Sequence, residues 1–155
     1  MHLTDSESCR IYSKTTTGDW WWDTQDQVSA RVTIVPVICA SDKTQVTNIS
    51  SDHHTRPLYL TTGNIRKDIC RTPTKRAWIL VVLIPCPPKG AKHINKAWHS
   101  AVGKVLSPVR NLDRTGPGLQ WSCPDGSQRQ CYPLLAPWVG DYREQVMIAQ
   151  VTYDS

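Results

Sequence analysis

Two apolar segments that each end in an aspartate set the strongest constraint on what this 155-residue chain can fold into. The first reads Val32-Thr-Ile-Val-Pro-Val-Ile-Cys-Ala-Ser-Asp42, and the second Tyr132-Pro-Leu-Leu-Ala-Pro-Trp-Val-Gly-Asp141. Consecutive β-branched and apolar residues without polar alternation read as a strand buried on both faces. Pro36 is the one objection, because proline removes a ladder donor and favours an edge or a bulge. A strand end holds a carboxylate more rigidly than a loop does. If the two strands are neighbours, Asp42 and Asp141 offer the oxygen donors that a two-metal phosphoryl-transfer site uses. An aspartate after a strand also serves as a turn former or a helix N-cap, so the pattern leaves both roles open.

The remaining segments are short, as 11 Pro and 8 Gly require, and this argues against a helical bundle. Pro57-Leu-Tyr-Leu-Thr-Thr62 before Gly63-Asn64 predicts a strand and a turn. Ala77-Trp-Ile-Leu-Val-Val-Leu-Ile84 predicts a central, buried strand. From Lys92 to Val109 the period changes: Ile94, Ala97, Trp98, Ala101, Val102, Val105, Leu106 and Val109 form one helical stripe, ended or kinked at Pro108. Pro124-Asp-Gly-Ser127 predicts a hairpin turn, and Gln145 to Val151 a further strand or helix. The fold expected is an α/β sheet with acids at its strand ends. Trp20, Trp21 and Trp22 are an anchor for the chain before them or a platform for stacking.

The charge is uneven. The net charge is +5, yet the stretch from Arg66 to Arg110 holds ten Lys or Arg against Asp68 alone. That stretch can face a polyanion, with Lys67, Arg71, Lys75, Arg76, Lys92 and Lys96 as candidate nucleic-acid contacts, or it can be a solvated surface. The six Cys form no C-x-x-C pair, so free thiols are expected rather than a zinc site at Cys123, Cys131 and His53 or His54. Neither a membrane span nor a secretory signal is present, which predicts a nuclear or cytoplasmic protein. After Asp141 the only acids are Glu144, three residues away, and Asp154, the penultimate residue. Neither is a natural third ligand.

An ordered series of blocks carries a resemblance. These are Gly18-Asp-Trp-Trp-Trp-Asp-Thr-Gln25, Thr33 to Gln45, Arg56-Pro-Leu-Tyr-Leu-Thr-Thr-Gly-Asn-Ile65, Arg71-Thr-Pro-Thr-Lys-Arg-Ala77, Leu106-Ser-Pro-Val109 and Val139-Gly-Asp-Tyr-Arg-Glu-Gln145. Together they resemble the Plavaka transposases, fungal DDE-type elements related to the CACTA group. The resemblance implies an incomplete ribonuclease H-like mixed sheet with a flanking helix over residues 18–155; residues 1–17, polar and with too little apolar material to pack, are expected to be a flexible arm. It implies DNA as partner, no small-molecule substrate, and a possible homo-oligomer. Carried over by position, Asp42 and Asp141 are the first two catalytic acids, binding Mg²⁺ or Mn²⁺. Family members extend further, with a Cys-Pro-x-Cys element and the third acid after the point where this chain ends, so the chain is expected to be inactive alone. The alternatives are a non-enzymatic nucleic-acid- or protein-binding module and a functionless remnant.

Overall fold

A computed structural model describes residues 14–28, 32–45, 54–87, 94–112 and 118–150. The elements in chain order are α1 (Asp19–Gln27), β1 (Thr33–Ser41), β2 (Thr44–Gln45), β3 (His54–Thr62), α2 (Lys67–Cys70), β4 (Ile79–Pro85), α3 (Ile94–Arg110), β5 (Leu119–Ser122), β6 (Gln128–Val139) and α4 (Tyr142–Ala149), with 3₁₀ turns at Thr15–Thr17 and Pro73–Lys75. The strands form one mixed sheet in the order β2-β3-β1-β6-β5, and β4 also pairs with β3. The protein is α/β, as the segment pattern predicts. Two compact units divide the chain: residues up to 37, 62–77 and 112–134 in one, and 38–61, 78–111 and 135 onward in the other, so that β1 and β6 each contribute to both.

In the first unit, Ile34 and Tyr132 are fully buried. Pro36 lies inside the sheet order, not at an edge. Its position opposite the end of β3 explains this: the Gly63 N–H, where the chain turns, donates to the Pro36 carbonyl at 2.8 Å. The missing donor thus falls where the ladder is ending. The hairpin pairs β5 with β6 from Leu119↔Cys131 to Ser122↔Gln128. Its turn is locked by Asp125, whose Oδ1 accepts from the Ser127 N–H at 2.9 Å and its hydroxyl at 2.6 Å. Those bonds hold the Asp125 carboxyl below its ordinary range. Asp125 is a turn residue. Thr15–Thr17 form the 3₁₀ turn, with Lys14 as its N-cap and Thr17 buried; residues 1–13 of the expected arm lie outside the described residues.

The second unit carries the larger core: Cys39, Leu58, Ile84, Trp98, Val102, Leu106 and Met147. Trp98, Val102 and Leu106 stand at i, i+4 and i+8 on α3, one stripe of one helix face. Pro108 does not end this helix. It cannot donate to the Lys104 carbonyl, and the Ser107 hydroxyl donates there instead at 2.9 Å. β4 is not central: it pairs only with β3 among the described strands, and Ile79 and Leu83 are 66% and 55% exposed. Only Ile84 on this strand is buried, and Val82 is partly so. Hydropathy marked the strand correctly but carried no information about which faces are covered.

Burial pushes the Cys39 thiol up to about 11. Because folding raises this pKa, the neutral thiol contributes fully below the ordinary thiol range and its contribution fades as pH rises toward 11. A thiol reagent applied to the native chain at pH 8 is therefore expected to modify the half-buried Cys70, Cys86 and Cys123 well before Cys39. Mass mapping of the labelled sites would contradict the assignment if Cys39 reacted as fast as Cys86.

Candidate functional site

The C-terminal ends of β1 and β6 come together in the second unit. A Cβ placed on Gly140 would sit 3.4 Å from the Ser41 carbonyl oxygen and 3.0 Å from Glu144 Cβ, so a larger residue here would require the first turn of α4 to shift by a few tenths of an ångström. Trp138, near the end of β6, donates its indole N–H to the Ser41 hydroxyl at 3.1 Å. Two aspartates sit immediately beyond these strand ends. Asp42 occupies the two-residue break between β1 and β2, and Asp141 follows Gly140; both are exposed.

Asp141 is the N-cap of α4. Its Oδ1 accepts from the Glu144 N–H at 2.7 Å, which satisfies one of the helix's orphan donors and leaves Oδ2 outside the cap. Of the two roles left open for this residue, the cap is present. It does not consume the whole carboxylate.

Glu144 holds the centre of the arrangement and is only 3% exposed. Its Oε1 accepts from Arg56 Nε at 2.8 Å, and its Oε2 accepts from the Ser41 hydroxyl at 3.1 Å. Arg56 in turn directs Nη1 to the Cys86 sulfur at 3.3 Å. A buried carboxylate survives only when paired and hydrogen-bonded, and here both oxygens are engaged. On sequence alone Glu144 reads as an unconvincing third acid. It is instead a clamp joining α4 to β1 and β3. The signal that marks it is the Asp141-x-x-Glu144 spacing, an acid at the N-cap followed by Glu at N3, which announces a helix start.

The hard oxygen donors of Asp42 and Asp141 match Mg²⁺ or Mn²⁺ in kind. They do not complete a two-metal centre: Glu144 is committed to Arg56 and Ser41, and among the described residues no three of His, Cys, Asp and Glu stand together as ligands. His53 of the weighed zinc site lies outside the described residues, as does Lys92. Of the basic candidates, Lys67, Arg71, Lys75 and Arg76 are exposed in the first unit and Lys96 is exposed on α3 in the second. No helix among the described residues is long and apolar enough to cross a membrane.

The chain is thus an α/β protein with an exposed aspartate beyond each of two neighbouring strands and a basic middle stretch. The description "Plavaka transposase" matches residues 1–155, the whole chain. The chain belongs to the Plavaka transposase family. Neither a curated protein nor a solved structure matches it.

The clamp is testable through stability. Arg56→Met leaves the Glu144 carboxylate buried without its cation and is expected to cost about 3–5 kcal/mol. Adding Glu144→Leu should return most of that loss, because two apolar side chains replace a pair whose desolvation was costly. Urea midpoints at constant slope measure both; a single variant as stable as wild type would contradict the clamp.

Proposed function

We propose that this chain is the part of a ribonuclease H-like DDE transposase core that supplies the first two acids of the catalytic site, Asp42 and Asp141, and that it does not cleave DNA alone. The observation that carries the reading is the adjacency of β1 and β6 in the sheet, with an exposed aspartate just beyond each strand. Family membership supports a divalent cation, Mg²⁺ or Mn²⁺, and DNA as the partner. The strand order supports the fold reading, since β3, β1 and β6 lie side by side with α3 and α4 contributing to the same core.

The basic residues supply the DNA contact. Lys67, Arg71, Lys75 and Arg76 follow one another along the connection from β3 to β4, where Asp68 is the sole acid and is bound to Arg66 at 3.0 Å. Such a run neutralises phosphates without reading bases, so it positions a duplex more than it selects one. Lys96 and Lys92 are the further candidates on and beside α3.

Duplex DNA binding followed across a salt series tests this function. The affinity is expected to fall with a log–log slope of about −0.9 per phosphate contacted, and Lys75→Glu with Arg76→Glu to flatten that slope. With Mg²⁺ added, the wild-type chain is expected to leave supercoiled plasmid intact. Salt-independent binding, or plasmid nicking that disappears in Asp42→Asn, would each contradict the proposal.

A further inference from the structure

The first unit contains an open cleft of about 570 Å³ whose lining includes Lys14, Thr15, Thr16, Gly63, Arg66 and Lys67, with no carboxylate among its described lining residues. Three basic residues line one concavity: Lys14 and Lys67 are exposed, and Arg66 is bound to Asp68 at 3.0 Å. Like charges set side by side favour an anion between them.

The walls are fixed. On one side, the Thr17 hydroxyl accepts from the Lys14 N–H at 3.0 Å and donates to the Lys14 carbonyl at 2.7 Å, which holds the backbone carrying Lys14 and the two threonines. On the other side, the turn after β3 is tied to β1 through Gly63 N–H to the Pro36 carbonyl at 2.8 Å and through the Asn64 amide to the Ile34 carbonyl at 2.9 Å. The two walls approach closely at Gly63, where a Cβ would lie 3.1 Å from Pro36 Cβ and 3.3 Å from Thr15 Cγ2. Arg66 bonds Asp68 through Nε, and its two terminal nitrogens take no part in that bond. Basic side chains carried on such walls, with threonine hydroxyls beside them, suit a group with several anionic oxygens, and the volume is that of sites for small organic ligands.

We infer that this cavity seats a phosphate group of a nucleotide unit, held by Lys14, Arg66 and Lys67. The site shares Lys67 with the DNA contact proposed above and rests on that reading in favouring a strand; it uses neither Asp42 nor Asp141. The phosphate can belong to a nucleic-acid strand or to a free nucleotide. The basic residues that continue from the cavity along the chain, Arg71, Lys75 and Arg76, favour the strand, because a single small anion gives them nothing to contact.

The test is a titration of the full chain, followed by backbone amide NMR at about 50 mM salt, with three probes: inorganic phosphate, a deoxynucleoside monophosphate and a short single-stranded oligothymidylate. All three are expected to shift the amides of residues 14–18 and 63–67, the oligonucleotide at a concentration at least about tenfold lower than the mononucleotide. Lys14→Glu with Lys67→Glu, both at exposed positions, should weaken all three by about tenfold or more while leaving amides elsewhere in place. Lys75→Glu with Arg76→Glu should weaken the oligonucleotide alone. A mononucleotide that binds as tightly as the oligonucleotide supports the site and assigns the phosphate to a free nucleotide. Amides in both segments that do not move, or a Lys14/Lys67 variant that binds all probes like wild type, would overturn the inference.

Discussion

Glu144 is the one buried carboxylate among the described residues, and its neighbours are arranged to meet the cost of burying it. A carboxylate at 3% exposure is unfavourable by several kcal/mol unless a cation and further donors stand against it. Arg56 brings the cation from β3, Ser41 brings a hydroxyl from the last position of β1, and Trp138 from β6 donates to that same hydroxyl. The clamp therefore fixes, through one side chain, how α4 leaves the sheet. α4 is held again by α3, where His99 Nε2 donates to the Met147 carbonyl at 2.9 Å. Trp98 on α3 meets the Trp138 ring with centroids 5.5 Å apart.

This arrangement separates the roles of three acids that the sequence sets within one motif or at matching strand ends. Glu144 is consumed by structure. Asp141 is half consumed, with one oxygen capping α4. Asp42 stands beyond the clamp in the break after β1, where its carbonyl is a weak acceptor for the Thr44 hydroxyl at 3.4 Å. The rigidity that the clamp lends to the ends of β1 and β6 is what a shared cation would require of its two ligands. The same clamp commits both Glu144 oxygens to Arg56 and Ser41.

Much of the framework is legible in the sequence because it rests on local signals. The β-branched run before Asp42, the stripe on α3 and the Pro124-Asp-Gly-Ser127 turn each encode their own element. The misplaced features depend on distant partners. β4 carries the most apolar run, yet its position at the side of β3 exposes Ile79 and Leu83, and only the tertiary arrangement decides that. Pro108 stays inside α3 because Ser107, one residue before it, supplies the missing donor to Lys104. Trp20 to Trp22 lie on helix α1, where successive residues fan around the axis, so no single apolar face announces the helix. The Asp141-x-x-Glu144 spacing marks a helix start but not the clamp, because the counter-ion of Glu144, Arg56, lies 88 positions earlier.

The central claim, that Asp42 and Asp141 face one cation, is tested most directly by adding Mn²⁺ to the isotopically labelled chain and recording which amide signals its paramagnetism broadens. Simultaneous broadening around residues 41–43 and 140–142, lost from both places in Asp42→Asn, is the predicted result. Broadening at only one of the two segments, or broadening that persists unchanged in that variant, would contradict a shared site.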